Sequence, residues 1–250
     1  MVFDSCGLGL ATRNSAVARI AFSPRSVLLT VHHLEESRSI RILWLLEELG
    51  VEYDVVFYRR DPKTRLAPET LTKIHPLGKA PVVTDGDLVV AESGAIIEYI
   101  VETCGNGGMA LTSADAGYRD YRYWMHFAEG SLMPFLVMSL ILTKIETAKV
   151  PFFVKPVAKG IADKVRSSYV GPGVKSSLSF VEKSLKGRTW LCGETLTAAD
   201  VQMSFPLIES GSRSSVEQYP EIQRFIRQVH DRPAYQRAID RTEALSEGTD

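Results

Sequence analysis

The segment SRSIRILWLLEELG, residues 37–50, carries a helix pattern together with a signal at each of its ends. Four aliphatic residues recur at the spacing of one helix face: Ile42, Leu45, Leu46 and Leu49. Ser37 suits the N-cap position, and Gly50 suits the position just past the last turn. The segment therefore predicts an amphipathic helix that is capped by Ser37 and ended by Gly50, with Ser39 facing away from Ser37.

Strand-like sequence flanks this helix on both sides. Residues 27–31 are rich in valine and leucine, and residues 53–57 form a second β-compatible run. The order strand, helix, strand favours parallel pairing through a right-handed crossover. His32 and His33 follow the first run, but neighbouring residues on a strand point to opposite faces, so this pair is not predicted to bind a metal.

The next unit has a different order of elements. Residues 82–83 and 88–90 are short apolar runs on either side of an Asp-Gly-Asp turn, which predicts a hairpin. A helix follows, with Ser93 as its cap. Its apolar stripe comprises Ile96, Ile97, Ile100 and Val101. A βαβ unit followed by a ββα unit, with Pro81 before the third strand, is typical of a thioredoxin-like domain.

The pattern changes at the glycine cluster 105–108, beyond which the periodicity is helical and no strand is predicted. The predicted helices cover residues 118–132, 156–169, 174–185 and 220–231, and a further one is headed by Thr197 to Asp200. We therefore predict an α/β plus all-α protein. Its parts are a thioredoxin-like domain at 27–105, a linker at 106–113 and an all-helical domain at 114–250.

Residues 1–26 are set apart from this organisation. They contain three arginines, four serines and a single acidic residue, Asp4. Such a composition is typical of a transit peptide, but we favour a disordered tail or an upstream start codon as its explanation. The segment is therefore predicted to be a disordered N-terminal extension.

The overall composition is that of a globular protein, with 45% apolar and 24% charged residues. Lys and Arg number 29 against 30 Asp and Glu, which argues against whole-protein electrostatic binding to nucleic acid or to an anionic membrane. Three cysteines, far apart and without a CxxC, favour a reducing compartment, and a cytoplasmic location is predicted. The apolar run 132–142 is too short to cross a bilayer, so no integral membrane segment is predicted. No histidine has metal-ligand spacing, and no metal is predicted.

Four motifs together carry a family resemblance. They are SRSIRILWLLEELG at 37–50, HPLGKAPVV at 75–83, AESGAIIEYI at 91–100 and LTAAD at 196–200. In this order and spacing the chain resembles the glutathione S-transferases over about residues 27–244, and is most similar to the bacterial and yeast-type branch with a serine after the first strand. The resemblance implies an enzyme, a glutathione transferase, with glutathione as co-substrate.

The implied reaction joins glutathione to a hydrophobic electrophile or reduces an organic hydroperoxide. The main alternative is a glutathione-binding or structural member of the same fold without appreciable activity. A disulfide oxidoreductase is disfavoured because no cysteine follows the first strand. The resemblance also implies a homodimer, and the apolar stripe of residues 96–101 is predicted to exceed what one sheet face covers, so that a two-fold contact buries the remainder.

The implied catalytic residue is Ser37. The thiolate of glutathione is the nucleophile, and a hydroxyl that donates a hydrogen bond from a helix N-terminus stabilises that anion. Ser37 lies at the position of the serine with this role in related classes. The alternatives are that Ser37 is only a helix cap, or that Ser39 is the donor.

The implied glutathione-binding residues are Lys79, Ala80, Pro81, Glu92 and Ser93. A cis Pro81 turns the N–H and C=O of Ala80 outward, where the cysteinyl backbone of glutathione pairs with them. Lys79 meets the glycine carboxylate, although a solvated loop lysine is an equal alternative. Glu92 meets the γ-glutamyl ammonium, and the Ser93 hydroxyl receives the γ-glutamyl carboxylate at a helix start.

Other patterns are assigned structural roles. Thr197 and Asp200 form a predicted capping box that starts a buried helix. Residues 151–188 hold eight basic and two acidic residues, which we interpret as a solvated helical face. A third group is predicted to be mostly core, with a few members lining an apolar pocket for the electrophile: Tyr121, Tyr123, Trp124, Phe127, Met133, Phe135 and Met138.

Overall fold

The computed structural model describes residues 29–105, 108–213 and 216–248, so the predictions for residues 1–26 and for part of the linker lie outside it. The first half is a four-stranded sheet in the order β2-β1-β3-β4. Its strands are β1 (Leu29–Leu34), β2 (Tyr53–Tyr58), β3 (Val82–Asp85) and β4 (Leu88–Ala91). β1 and β2 are parallel, and β3 is antiparallel to β1 and β4. The predicted thioredoxin-like arrangement is confirmed.

Helix α1 (Ile40–Leu49) begins later than predicted. Its N-cap residue is Ser39, which makes no side-chain capping bond, so the prediction that Ser37 caps this helix is wrong. The Ser37 carbonyl accepts a tight-turn bond from the N–H of Ile40 (3.5 Å), and helical bonding starts only beyond that turn. Gly50 ends the helix at a φ of 64°, as predicted.

The regular elements described in the second half are all helices. Its helices are α3 (Tyr118–Phe127), α4 (Met133–Glu146), α5 (Lys155–Val165), α6 (Gly171–Leu185), α7 (Ala198–Arg213), α8 (Pro220–His230) and α9 (Pro233–Glu247). In the first half, α2 (Ser93–Thr103) follows β4. The predicted all-helical character is confirmed, but α9 was not predicted.

Two predicted helix breaks are absent. π-helical turns at Ala128–Leu132 and Arg166–Val170 join α3 to α4 and α5 to α6 without interruption. Pro134 and Pro172 each lie directly after a π-helical turn, as the second residue of the α-helical segment that follows it. The helix predicted to end at residue 132 therefore continues to Glu146.

The joined helix Tyr118–Glu146 has 29 residues and is, within the described ranges, the one helix long and apolar enough to cross a membrane. The sequence prediction used only the run 132–142 and so underestimated its length. Core helices of globular proteins also meet this criterion, and Trp124 and Leu136 are buried here. The absence of an integral membrane segment stays a prediction.

The apolar stripe of α2 is covered within this chain. Ile96, Ile97 and Ile100 have no exposed surface, and α2 contacts the sheet on one side and α7 on another. The prediction that this stripe leaves apolar surface for a second copy is therefore wrong. The helical domain, which sequence periodicity could not place, covers it.

The two halves share one hydrophobic core. Helix α1 contacts both α7 and α9, and the Trp44 ring packs edge-on against Tyr235 with centroids 5.6 Å apart. These contacts hold the start of α1 and the start of α2 against the helical domain. The residues predicted to be functional lie along that boundary.

At the start of α7, the buried Asp200 carboxylate accepts bonds from the Thr197 N–H (2.9 Å), the Thr197 hydroxyl (2.8 Å) and the Leu191 N–H (2.8 Å). Of the two hydrogen bonds of the predicted capping box, the one from the Thr197 N–H to the Asp200 carboxylate is present. The other is absent, because the Thr197 hydroxyl donates to the carboxylate instead of accepting from the Asp200 N–H. Burial raises the pKa of Asp200 to about 6. The role of this pair is structural, as predicted.

Candidate functional site

A cleft of about 340 Å³ brings together all five predicted glutathione-binding residues. They are Lys79, Ala80, Pro81, Glu92 and Ser93. Arg38 lies on the same cleft, and Glu129 and Val137 line it from the helical domain. The cleft is therefore a boundary between the two domains, with a backbone edge and a strand-to-helix turn on one side.

One wall is formed by residues 79–81, immediately before β3. The Ala80–Pro81 peptide bond is cis, which confirms the prediction for Pro81. Ala80 is half-buried and the Lys79 side chain is exposed. A ligand in the cleft thus lies beside a backbone segment and a solvated cation.

The other wall is the turn from β4 into α2. Glu92 adopts a φ of 71° and is the N-cap residue, with its carbonyl accepting the N–H of Ile96 (2.9 Å). Ser93 is the first residue of α2, so the prediction that Ser93 caps the helix is wrong by one position. The Glu92 side chain is exposed, whereas Ser93 is only 4% exposed. The turn offers a carboxylate and a nearly buried hydroxyl at a helix start.

Behind Ser93 lies Arg41, which the sequence prediction missed. Arg41 has no exposed surface, and its guanidinium donates to the Gln202 carbonyl (2.6 Å), to the Ser93 hydroxyl (2.8 Å) and to the Glu129 carboxylate. Burial lowers the pKa of Arg41 to about 10, and Glu129 opposes that effect. Arg41 therefore carries its charge at neutral pH. An arginine within a run of aliphatic helix residues was the signal that could have indicated it.

Glu129 joins two arginines at the boundary. It lies in the π-helical turn between α3 and α4, and accepts bonds from the Arg38 Nε (3.1 and 3.2 Å) as well as from Arg41. Arg38 is about one-third exposed, but Arg41 is buried. The negative charge of Glu129 compensates the buried guanidinium.

Ser37 lies outside this cleft. It lines an adjoining cavity of about 260 Å³ together with His33 and Tyr235. Its hydroxyl is 2.6 Å from the Ser39 hydroxyl and accepts the Ser39 N–H at 3.3 Å. The prediction that Ser39 faces away from Ser37 is wrong, because neither residue lies within the regular part of α1.

A chain of hydrogen bonds continues from Ser39 to His33. The Ser39 hydroxyl is 2.9 Å from the Nδ1 of His33, and both residues are buried. Burial lowers the pKa of His33 to about 4, so the ring is neutral at physiological pH and only one of its nitrogens carries a hydrogen. The tautomer of His33 therefore sets the direction of both hydroxyl bonds.

A third cavity of about 370 Å³ adjoins the other two. It shares Arg38 and Val137 with the cleft, and Glu36 and Phe205 with the cavity at Ser37. Its apolar wall comprises Met133, Leu136, Val137, Leu140 and Phe205. Of the aromatic and methionine residues proposed for an electrophile pocket, Met133 lies on this wall, whereas Phe135 and Met138 pack against the core.

The two neighbouring histidines of β1 make hydrogen bonds to different partners. His32 bonds the Tyr58 hydroxyl (2.9 Å), and His33 bonds Ser39 on a different side of the strand. Among the residues that the structure describes, no group of three or more His, Cys, Asp or Glu side chains is placed to hold a metal ion. The absence of a metal cofactor stays a prediction.

This fold defines a class: a thioredoxin-like domain followed by a helical domain, with a cleft where they meet. The family profile described as "Glutathione S-transferase, N-terminal domain" matches residues 26–102, and "Glutathione S-transferase, C-terminal domain" matches residues 142–233. The chain is 36% identical to glutathione S-transferase 3 of Schizosaccharomyces pombe over 218 residues, covering 86% of this chain and 88% of the relative. It is 35% identical to glutathione S-transferase 1 of Saccharomyces cerevisiae, covering 87% and 97%.

A solved structure agrees with these relatives. The glutathione S-transferase of Actinobacillus pleuropneumoniae superposes with a TM-score of 0.72 at 35% identity, covering 86% of this chain and 93% of the other. The chain belongs to the glutathione S-transferase family. The resemblance, the two-domain fold and the assignment as a glutathione transferase are thereby confirmed at the level of the family.

Proposed function

We propose that this chain binds glutathione in the cleft between residues 79–81 and residues 92–93 and uses its thiolate as a nucleophile. The thiolate either adds to a hydrophobic electrophile or reduces an organic hydroperoxide. The observation that carries the proposal is the cleft itself, which collects all five residues predicted from separate motifs. The β3–β4 hairpin, in which Val82 pairs with Ala91, places the two segments side by side, and Glu129 and Val137 of the helical domain complete the cleft over them.

In this proposal each part of the tripeptide meets complementary chemistry. The backbone of Ala80 pairs with the cysteinyl residue, as a strand pairs with a sheet edge. The exposed Lys79 meets the glycine carboxylate, and the exposed Glu92 meets the γ-glutamyl ammonium. The Ser93 hydroxyl, at the start of α2, donates to the γ-glutamyl carboxylate.

Ser37 remains the proposed donor to the sulfur. Its oxygen has two lone pairs, and it accepts the Ser39 N–H (3.3 Å) with one of them. If His33 carries its hydrogen on Nδ1, the Ser39 hydroxyl accepts from His33 and donates to Ser37. The Ser37 hydrogen is then free for the thiolate.

The electrophile is proposed to bind in the third cavity. Its apolar wall from α4 and α7 suits a hydrophobic group, and it shares Arg38 with the glutathione cleft and Glu36 with the cavity at Ser37. With an aryl halide, the sulfur–carbon bond forms, the carbon–halogen bond breaks, and halide leaves. With a hydroperoxide, two glutathiones give the disulfide, an alcohol and water.

A second candidate is a glutathione-binding member without appreciable transferase activity. The observation that favours it is the position of Ser37, which lines a cavity other than the cleft and is engaged by Ser39. In the opposite tautomer of His33, the Ser37 hydrogen is donated to Ser39 and is not available to a sulfur. The structure is then competent to bind glutathione and deficient in stabilising its thiolate.

Two measurements on the full chain separate these functions. Calorimetry with glutathione tests binding, and thiol consumption with aryl halides, epoxides, isothiocyanates and organic hydroperoxides tests chemistry. We expect binding together with consumption above the uncatalysed rate for at least one electrophile. Binding without consumption establishes the second candidate, and an absence of binding contradicts both.

We also propose a homodimer and a cytoplasmic location. Exposed apolar side chains that could take part in a two-fold contact include Ile141, Val157 and Ile161 on the helical domain. Light scattering at micromolar concentration is expected to give twice the chain mass of 27.7 kDa. A mass of one chain contradicts the dimer.

A further inference from the structure

We infer that Arg41 is a positioning residue for the α-carboxylate of bound glutathione, acting through the Ser93 hydroxyl. This inference rests on the proposed function, since it concerns the γ-glutamyl end of the same ligand. Arg41 does not line the cleft, and it makes no contact there of its own. Of the two cleft-lining side chains that it bonds, Ser93 and Glu129, only Ser93 can donate to a carboxylate, so the effect of Arg41 on that group is exerted through Ser93.

The direction of the bond between Arg41 and Ser93 is fixed by chemistry. A guanidinium has five N–H donors and no acceptor, so at 2.8 Å the Ser93 oxygen accepts and Arg41 Nη2 donates. The hydroxyl hydrogen of Ser93 therefore points away from Arg41. Because Ser93 lines the cleft, that hydrogen is available to a ligand oxygen there.

This arrangement selects for an anion. The Ser93 hydroxyl is a donor into the cleft and is polarised by a positive charge directly behind it. A carboxylate oxygen accepts such a bond, whereas an ammonium group cannot. The exposed Glu92, one residue earlier, has the opposite preference. The two neighbouring side chains thus distinguish the two charged groups of a single α-amino acid.

Arg41 cannot turn into the cleft to bind the carboxylate itself. Its guanidinium is held on three elements at once, through the Gln202 carbonyl of α7, the Glu129 carboxylate and the Ser93 hydroxyl of α2. It has no exposed surface, and its Nε has no hydrogen-bond partner. A buried cation retained at the cost of an unpartnered N–H is difficult to explain by packing alone.

The decisive experiment compares two ligands that differ in one group. The first is glutathione, and the second is 4-aminobutyryl-cysteinyl-glycine, which lacks only the α-carboxylate. We expect wild-type protein to bind glutathione more tightly, by about tenfold to a hundredfold, the range for hydrogen bonds to charged groups. Arg41→Met is expected to lose most of this ratio of affinities. It is expected to bind glutathione more weakly and to bind the analogue as tightly as the wild type does.

Turnover supplies a second readout. In Arg41→Met the KM for glutathione is expected to rise while kcat at saturating glutathione is retained, because the α-carboxylate is remote from the sulfur. Arg232→Met is the matched control: it removes a guanidinium paired with Glu48, away from the cleft, and is expected to keep the wild-type ratio. Equal weakening of both ligands by Arg41→Met assigns Arg41 a general structural role and overturns the inference.

A variant is also needed in case Arg41→Met does not fold. Arg41→Lys retains the buried charge, but a single ammonium cannot span the three partners of the guanidinium, and the ratio is expected to fall. An unchanged ratio in Arg41→Lys overturns the inference. Ser93→Ala, which removes the hydroxyl, is expected to bind glutathione and the analogue with similar affinity. Ser93→Thr, which keeps the hydroxyl, is expected to retain the preference for glutathione. If wild-type protein binds both ligands equally, the inference fails while the proposed function stands; if it binds neither, the proposed function fails first.

Discussion

The cleft at residues 79–81 and 92–93 and the turn before α1 at Ser37 and Ser39 are two differently built parts of one proposed site. The cleft presents backbone, an exposed carboxylate and an exposed ammonium to solvent, with the buried Arg41 and its ion pair to Glu129 behind Ser93. The turn presents a chain of neutral groups that ends on His33. Charge determines what the first part binds, whereas the direction of hydrogen bonds determines what the second part does.

The difference teaches that the two parts fail in different ways. In the cleft, each side chain contributes to affinity for one ligand group, so single changes weaken binding by limited amounts. In the turn, Ser37, Ser39 and His33 are linked, so a change at one alters the others. Variants can therefore test whether the cleft governs binding and the turn governs reactivity.

The largest effect is expected for Ser37→Ala. If Ser37 donates to the sulfur, its removal raises the pKa of bound glutathione and lowers turnover near neutral pH by about 10²–10³, as for removal of one preorganised donor. Glutathione affinity is expected to change little. The measurement is the pH–rate profile with one aryl halide, together with calorimetry.

Ser210→Ala is the control for Ser37→Ala, since Ser210 is a buried serine bonded to the Leu207 carbonyl and remote from the site. It is expected to leave the profile unchanged. Ser39→Ala is expected to have an intermediate effect because it breaks the link between Ser37 and His33. A wild-type profile in Ser37→Ala would remove the serine from catalysis and favour the backbone N–H groups at the start of α1.

The pH dependence of stability provides the next prediction. Burial lowers the pKa of His33 from 6.5 to about 4, so protonation favours the unfolded chain. The contribution of His33 to the free energy of unfolding is fully present above pH 6.5. It is lost as the pH falls toward 4, which lowers the free energy of unfolding by up to about 3 kcal/mol. His33→Asn keeps a hydrogen-bonding atom near the position of Nδ1 and removes the titration.

The difference between wild type and His33→Asn isolates this contribution. Asp200 titrates in the opposite sense, because its pKa is raised from 3.8 to about 6 and its effect destabilises the fold as pH rises through that window. Because both proteins contain Asp200, its effect cancels when the free energy of unfolding of one is subtracted from that of the other. Urea unfolding between pH 4 and 7 gives the two curves; parallel curves would contradict a buried neutral His33.

Glu92→Gln tests the cleft with a smaller effect. Loss of the carboxylate that meets the γ-glutamyl ammonium is expected to weaken glutathione binding by about 1 kcal/mol, because the exposed side chain is screened by solvent, with kcat retained. Calorimetry on folded protein measures it, with Glu102→Gln, an exposed residue at the opposite end of α2, as the control. Unchanged affinity removes Glu92 from the site.

Lys79→Met is expected to have the smallest effect. The side chain is exposed, so its attraction to the glycine carboxylate is screened by solvent and is worth about 1 kcal/mol or less. The effect is expected to shrink further as salt is added. A salt-independent loss of affinity would contradict an exposed ion pair.

The sequence was most informative where a short motif determines local backbone. The cis Ala80–Pro81 bond was implied by the family resemblance, and the start of α2 was predicted one residue late, with Ser93 in place of Glu92 as its cap. The end of α1 at Gly50 follows from neighbouring residues and was predicted. The start of α1 was not, because a serine followed by a helix pattern fits an N-cap at residue 37 or at residue 39 equally well.

Sequence was uninformative where a partner is distant. Arg41 obtains its three partners from residues 52, 88 and 161 positions away, and no local pattern indicates them. The same reason explains the error at α2, whose apolar stripe is covered by α7. The helix joins at Ala128–Leu132 and Arg166–Val170 were also missed, since the predicted helices ended at residues 132 and 169 and no sequence pattern indicated the π-helical turns there.

The hydrogen bonds of Arg41 to Gln202 and Glu129 join the two domains and limit how domains can be exchanged between this chain and its relatives. A thioredoxin-like half cut away at the linker would leave Arg41 without two of its three acceptors and without the helices that cover it. Chimeras that exchange helical halves between relatives therefore need to transfer an acid at position 129 and a free main-chain carbonyl at position 202. The sequence divides clearly into two domains, but neither domain can be replaced by itself without these acceptors. Domain grafting in this protein therefore has to treat the two domains as one unit.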